Sequence, residues 1–373
     1  MIGSHPVSRL ARETCDRIVD FLGDCPVDLR ACALTARCFL PAAQSQIFSD
    51  ISVDNHNTDD TLTEEEAQEE ARGFAKAAFR RLASVLTHSP HLKQYIRSGT
   101  LTADLEVIVL VAGLGLPRLE ELCLYGDGEC DLDGLLINPL QRLVALPSLR
   151  RLSLFTDYSV QIFRHCSPNL TELVFDMATQ EMPWHTWDVT MLCRPTIAHL
   201  TIKKCVGTAD WLIDAKCPFD LTQLRSVTVL KSMTSNARHV LSSAEQTINE
   251  MTLGPEDIGC LNLARFPALN HIYLHLEHIC QLRKVLPAFS GLDNTNSIQT
   301  ITIRVDSFSL DDVNPLIDAE VAQFYEALSW AHLPAIQKLA FDPPEENRDE
   351  FFTMLDRALP ILQMRHAAHV STN

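Results

Sequence analysis

The sequence predicts an α/β fold in which a small helical module precedes a solenoid built around a parallel β-sheet. Three observations predict it. A short apolar pattern recurs along most of the chain, and its copies are spaced at intervals typical of repeat proteins. The residues before the first copy lack that pattern and have helical periodicity instead.

The helical module is predicted over residues 5–50. Apolar residues recur at helical spacing over residues 13–22, and Gly23 follows where glycine commonly ends a helix. Pro26 suits the first turn of a second helix, and Phe39 and Ile47 mark a third. Three helices of this length form a small core, so we expect the module to need a partner or a neighbouring domain.

These helices carry a family resemblance. Residues 10–22 (LARETCDRIVDFL) and 29–41 (LRACALTARCFLP) resemble the two halves of an F-box. The resemblance implies docking to a Skp-type adaptor protein and, through it, to a cullin-RING ubiquitin ligase. The positions it implies for that contact are Leu10, Ile18, Leu22, Leu29, Leu34 and Phe39. The open alternative is that these side chains only pack the three helices together.

An acidic linker and an amphipathic helix are predicted over residues 51–91. Seven acidic residues lie within residues 59–70, and Thr63 and Glu66 have the spacing of a capping box. Acidic side chains in the first turns of a helix are favoured by the helix dipole. Apolar residues, including Phe74, Phe79 and Leu86, then form one stripe. We expect this helix to cap the open end of the solenoid.

The repeats are predicted over residues 92–342. Each of the nine copies has apolar residues at its first, fourth and sixth positions. Successive copies begin 21 to 38 residues apart, mostly in or next to the range of about 20–29 residues known for leucine-rich repeats. The copies resemble irregular leucine-rich repeats, which implies a curved parallel sheet. Their first positions are Leu119, Leu149, Leu170, Ile197, Leu224, Ile248, Leu269, Ile298 and Ile336. A degenerate earlier copy contains Ile96, Gly99 and Leu101.

Each copy is expected to form one short strand. Side chains alternate along a strand, so the fourth and sixth positions point to the same side. One such strand cannot bury its apolar side alone, but stacked copies build a continuous core. We predict short helices between strands, for example over 209–215 and 235–241, and a loop over 179–191. A helix is expected within 311–330. Residues 343–373 are expected to form a capping helix, over 345–362, and a tail.

Composition limits the partners. The 373 residues carry a formal net charge of −17 and have an isoelectric point near 5.2. An acidic surface repels phosphate backbones and anionic lipid heads. We therefore expect no nucleic acid and no membrane among the partners.

Compartment is indicated by three features of the sequence. The first residues lack the basic and apolar segments of a secretory signal. The most apolar run, residues 107–116, is about half the length of a membrane span. The twelve cysteines include no Cys-x-x-Cys pair, which favours reduced thiols. We expect a cytoplasmic or nuclear protein.

No catalytic, cofactor or metal site is predicted. The glycines at 113 and 115 lack the third glycine of a dinucleotide-binding loop, since Arg118 occupies that position. Residues 129–134 resemble half a calcium loop, but Leu140 stands where the bidentate glutamate belongs. On one strand, His271 and His275 would lie roughly 13 Å apart, too far to share a zinc ion. We therefore expect a protein that is not an enzyme.

The outward-facing strand residues are the candidate recognition surface. Exposed aromatic and arginine side chains on a rigid concave sheet suit the binding of another protein. The candidates are Tyr125, Arg151, Phe155, His199, Lys203, His271, Tyr273, His275 and Arg304. The favoured hypothesis is an adaptor subunit that recruits an unknown protein substrate to a Skp–cullin–F-box ubiquitin ligase. The alternative is a leucine-rich-repeat scaffold without a ubiquitin-ligase role.

Overall fold

The protein forms two compact units, Met1–Asn169 and Leu170–Asn373, in a computed structural model. The structure describes residues 12–22, 25–52, 64–126, 134–155, 160–176, 194–204, 212, 217–231, 235–259, 261–289, 292, 296–307, 324 and 335–358. The segments predicted as a loop (179–191) and as an inserted helix (311–330) lie outside these residues, except for Phe324. The domain boundaries given above remain predictions.

The first unit begins with the three predicted helices, which contact one another: α1 (Arg12–Leu22), α2 (Pro26–Thr35) and α3 (Leu40–Ile47). Pro26 lies in the first turn of α2, where its missing N–H costs nothing. Cys15, Val19, Leu29 and Ala43 form the buried side of the module. The predicted helices are confirmed, while Gly23 lies outside the described residues.

Strands and helices then alternate in the first unit: β1 (Asp50–Ile51), α4 (Glu64–His88), β2 (Ser98–Thr102), α5 (Leu105–Leu114), β3 (Glu121–Tyr125), α6 (Gly134–Val144) and β4 (Arg151–Phe155). Each strand is hydrogen-bonded in parallel to the next one along the chain. The amphipathic helix expected to cap the solenoid is α4. Because α4 connects the parallel strands β1 and β2, it serves as the helix of a first repeat. The sequence did not reveal β1.

Helix α5 shows how local sequence fixes these connections. Asp104 caps its first turn by accepting hydrogen bonds from the backbone N–H groups of Glu106 and Val107, at 2.9 and 3.3 Å. Gly115 ends the helix in the left-handed conformation, at φ 61°. Lys76 of α4 lies 2.9 Å from the Asp104 carboxylate, so the cap also joins two neighbouring helices.

The second unit continues the pattern with β5 (Glu172–Asp176), β6 (His199–Lys203), β7 (Ser226–Leu230), β8 (Glu250–Leu253), β9 (His271–Leu276), β10 (Thr300–Val305) and β11 (Lys338–Asp342). Neighbours in this series are again parallel. Its described helices include Ser235–Ser243, Pro255–Ile258, Leu282–Phe289 and Arg348–Ala358. The helix predicted over 235–241 is confirmed, whereas the one over 209–215 lies outside the described residues except for Leu212.

The inward side of the strands is the core of each unit. In register, Leu122 and Leu124 of β3 face Leu152 and Leu154 of β4, and all four are at most 1% exposed. Across the second unit the same position is filled by buried Leu200, Val227, Met251, Ile272 and Ile301. Burying each such side chain contributes about 1.5–3 kcal/mol. All nine predicted strands and the degenerate early copy are confirmed, and the fold is α/β and leucine-rich-repeat-like.

The last described helix covers the end of the series. Phe351, on the helix Arg348–Ala358, is fully buried, and its ring centroid lies 6.0 Å from that of Phe341 on β11. This agrees with the capping helix expected over 345–362, up to residue 358. Residues beyond 358 lie outside the described part of the chain.

Candidate protein-binding surfaces

The outward-facing residues of the strands line up in rows, because within each unit every strand is in parallel register with its neighbour. In the second unit the middle row consists mainly of small, β-branched hydroxyl residues: Thr201, Thr228, Thr252, Tyr273 and Thr302. A second row contains the predicted residues His199 and His271 and lies at the start of the strands. Lys203, His275 and Arg304 lie towards the strand ends. Five candidates therefore lie on either side of this row, while a sixth, Tyr273, lies within it.

The first unit presents an aromatic pair. Tyr125 at the end of β3 and Phe155 at the end of β4 stack with ring centroids 4.3 Å apart and planes inclined by 16°. Tyr125 is 42% exposed and Phe155 is half-buried. Four residues earlier on each strand, Glu121 and Arg151 face each other in register. Three of the predicted residues thus lie on two adjacent strands of this unit.

Cys123 lies between these two pairs on the same face of β3. Burial raises the pKa of its thiol, and hydrogen bonding with Tyr125 and the nearby Arg151 charge only partly offset that effect. The thiol is therefore protonated at neutral pH. Cys123 was not among the predicted surface residues.

A cleft of about 270 Å³ opens at the carboxyl ends of β7 to β10 in the second unit. It contains His275, one of the predicted residues. The other lining residues come from the end of β7 and from the segments that follow these strands: Leu230, Lys231, Gly254, Pro255, Glu256, Asp257, Glu277, Gln281 and Asp306. Parallel strands bring these turns together at one edge of the sheet, although up to 76 positions separate the residues in sequence.

Two predicted residues, His275 and Arg304, meet at one side of this cleft. His275 Nε2 lies 2.7 Å from Asp306 Oδ2, and Arg304 Nε donates a hydrogen bond to Asp306 Oδ1 at 3.2 Å. Asp306 follows β10 directly, and the sequence reasoning missed it. Its position in the sequence could have indicated it, because an acidic residue directly after a strand lies where the side chains that follow neighbouring strands converge.

The other side of the cleft is held by Lys231. Its Nζ lies 2.5 Å from Glu277 Oε1; this contact raises the pKa of Lys231 and lowers that of Glu277. Lys231 has a left-handed backbone, with φ 57°. Its backbone N–H donates to Asp257 Oδ2 at 3.2 Å, and Asp257 is only 1% exposed. The buried carboxylate therefore ties the turn after β7 to the turn after β8.

Gly254 makes that arrangement possible. A Cβ at this position would lie 2.9 Å from Asp257 Oδ2, closer than side-chain carbons approach in real structures. The regular leucine-rich-repeat asparagine is missing after these strands. In place of that asparagine, Asp257 accepts a hydrogen bond from the backbone N–H of Lys231 in the preceding repeat.

The N-terminal helices expose several apolar side chains. Of the positions implied for adaptor docking, Leu34 is 88% exposed and Ile18 is 39% exposed. Leu22 and Phe39 are half-buried, Leu29 is buried, and Leu10 lies outside the described residues. Residues that the sequence reasoning did not select are also exposed: Phe21 (91%), Val27 (69%) and Leu40 (37%). Phe21 could have been found from its spacing, since it lies three residues after Ile18 on α1.

Within the described part of the chain, no three His, Cys, Asp or Glu side chains are arranged to hold a metal ion. No described helix combines the length and the apolar character needed to cross a membrane. No protein-family model matches the sequence, and a search of curated proteins found no match.

Proposed function

We propose that this chain is a non-catalytic adaptor whose N-terminal helices dock a Skp-type adaptor of a cullin-RING ubiquitin ligase. The open face of its sheet would then bind the protein to be ubiquitinated. The observation that carries the proposal is the exposure of Phe21, Val27 and Leu34 on helices whose sequence resembles an F-box. Monomeric proteins seldom leave several large apolar side chains in water without a binding role.

The buried side of the helices supports the same proposal. Cys15, Val19 and Leu29 fill the interior, so the exposed residues are not needed to hold the three helices together. A hydrogen bond from Gln46 Nε2 to Asp20 Oδ1, 2.8 Å long, further fixes α3 to α1. The module therefore separates the residues that pack from residues that are available to a partner.

The surface proposed for the target protein consists of the aromatic pair in the first unit and the cleft in the second. The Tyr125–Phe155 stack offers a rigid apolar contact, the kind of group that dominates binding energy at interfaces. His275 in the cleft, and Arg304 beside it on the neighbouring strand, both contact Asp306 and offer oriented polar groups. An adaptor of this kind acts in the cytoplasm or the nucleus.

Binding of a purified Skp-type adaptor to the full chain tests the docking step. Replacing Leu34 with Asp places a charge in the docking surface, and we expect the Kd to rise at least tenfold, as at an interface hot spot. Leu135→Asp is the matched control: Leu135 is 69% exposed, but it lies on α6, outside the helical module. It should leave the affinity unchanged.

Two outcomes would contradict the docking proposal. One is that the unmodified chain fails to bind the adaptor, and the other is that Leu34→Asp and Leu135→Asp bind as well as the unmodified chain does. If the adaptor does not bind while target capture remains sensitive to Tyr125→Ala, the scaffold alternative without a ligase role is favoured. Capture of targets from cells treated with a proteasome inhibitor measures the second property.

A further inference from the structure

Three adjacent helices of the first unit expose large apolar side chains. Helix α5 contacts both α4 and α6, so it is the middle one of the three. The exposed residues, each between 41% and 69% exposed, are Phe74 and Val85 on α4, Leu105 and Val109 on α5, and Leu135 on α6. We call these five residues the helical surface. Among the described residues of the second unit, only Tyr273 on β9 is comparably exposed, and it belongs to the sheet.

Helix α5 has little polar surface for a helix in contact with water. Its one charged residue is Glu106. Its buried residues are Val107, Ile108, Val111 and Leu114. On the other side of the helix, Leu105 and Val109 lie one turn apart and are 41% and 48% exposed. Helices that are apolar on all sides are normally buried, so this side of α5 favours contact with another molecule.

The charged side chains around the helical surface are mainly basic. Between Arg72 and His88, α4 carries four arginine or lysine residues and no acidic residue, and its acidic residues all lie before Arg72. Helix α6 carries Arg142 and no acidic residue. Both Arg81 and Arg142 are exposed, and within the described part of the chain no carboxylate forms an ion pair with either.

The two carboxylates at the start of α5 are already paired with other residues. Lys76 Nζ lies 2.9 Å from Asp104 Oδ2, and Arg80 Nη2 donates a hydrogen bond to Glu106 Oε2 at 2.6 Å. These contacts hold α4 against the first turn of α5. They leave the charges of Arg81 and Arg142 without an acidic counterpart on the three helices.

We propose that the helical surface binds an amphipathic helix of an acidic partner protein. Apolar side chains at helical spacing on that partner pack on Leu105 and Val109, and glutamate or aspartate side chains at its edges pair with Arg81 and Arg142. Salt screens the overall negative charge of the chain beyond about 8–10 Å, so the nearby arginines decide which charge the surface attracts.

A second copy of this chain suits the surface less well. It would bring the same arginines, which lack an acidic counterpart, and like charges at an interface oppose association. The helical surface is also separate from the N-terminal helices and from the open face of the sheet. Its role therefore does not depend on either contact of the proposed function.

The test uses the full chain and two synthetic helical peptides as probes. Both peptides have leucines at the same helical spacing, and the polar positions are glutamate in one and lysine in the other. Fluorescence anisotropy measures the binding of each peptide. We expect the glutamate peptide to bind at least tenfold more tightly than the lysine peptide, and added salt should narrow the difference.

Variants of the chain locate the binding site of the peptide. Val109→Asp places a carboxylate at the centre of the surface and should weaken binding of the glutamate peptide at least tenfold. Replacing Arg81 and Arg142 together with glutamate should reverse the preference, so that the lysine peptide binds more tightly. Ser242→Asp is the control, since it adds the same charge at an exposed position of the helix Ser235–Ser243 in the second unit. Thermal unfolding checks that each variant is folded.

Three results would overturn the proposal. The first is that neither peptide binds. The second is that both peptides bind equally and the double arginine variant changes neither affinity, which would indicate apolar contact without charge recognition. The third is that sedimentation velocity detects a dimer that Val109→Asp abolishes, because a second copy would then be the occupant of the surface.

Discussion

The repeat strands and the N-terminal helices use their apolar residues in opposite ways. Leu122, Leu152 and Leu154 on the strands are at most 1% exposed, whereas Phe21 and Leu34 on the helices are about nine-tenths exposed. The strands gain stability from neighbours on both sides. The main described contacts of the three helices are with one another, and several of their apolar side chains are exposed. Among the described residues, buried apolar side chains are therefore concentrated in the repeats, and the two most exposed large ones lie on the N-terminal helices.

The largest expected effect tests that contrast directly. Leu152→Ala removes a fully buried side chain between two strands and should lower the free energy of unfolding by about 2–5 kcal/mol. Leu34→Ala removes an exposed side chain and should change it by no more than about 0.5 kcal/mol. Chemical denaturation measures both. Equal losses for the two variants would show that Leu34 is packed in solution, contrary to the comparison.

Two glycines sharpen the comparison on the repeat side. A Cβ at Gly259 would lie 2.6 Å from the carbonyl oxygen of Lys284, on the helix Leu282–Phe289, so Gly259→Ala should cost about 1–3 kcal/mol. A Cβ at Gly73, on α4, would meet nothing within 4 Å. Gly73→Ala should instead stabilise the protein by about 0.5–1 kcal/mol through helix propensity. Opposite shifts in Tm are expected, and shifts of the same sign would contradict the close packing at Gly259.

The smallest effect concerns the cap of α5. Burial by itself would raise the pKa of Asp104, but the hydrogen bond from Lys76 and those from two backbone N–H groups lower it. Because the pKa of Asp104 is lower in the folded protein than in the unfolded chain, where it is near 3.8, the Asp104 carboxylate stabilises the fold fully above that unfolded-state pKa. This stabilisation is lost as the pH falls through the lower folded-state pKa. Asp104→Ala should cost about 0.5–2 kcal/mol at pH 7.

Denaturation at pH 7 and at low pH checks this prediction. The difference between the unmodified chain and Asp104→Ala should shrink as the medium is acidified below the ordinary carboxyl range. Asp342→Asn is a suitable control because Asp342 is exposed at the end of β11 and caps no described helix. A difference that stays constant with pH would show that Asp104 acts through packing and not through its charge.

The strands could be predicted because inward apolar residues repeat with a fixed spacing, and burial enforces that spacing. Strand β1 could not, since Asp50 and Ile51 are too few residues to form a pattern. Periodicity also located α1 and α2, but it cannot say whether another element covers a helix face. For that reason it did not select Phe21 or Val27. The cleft was missed because Asp257, Glu277 and Asp306 meet only through the register of neighbouring strands.

Hydrogen bonding between strands follows chain order within each unit, and this has a kinetic consequence. In the second unit, β7 pairs with β6 and β8, and β9 pairs with β8 and β10. Every such pairing closes a loop of a few dozen residues at most, so no distant segment has to be found before the sheet can grow. Folding can begin at any well-packed pair of strands and spread outwards in both directions. A weak copy in the middle would then act as a break, with the flanking copies able to fold and unfold separately.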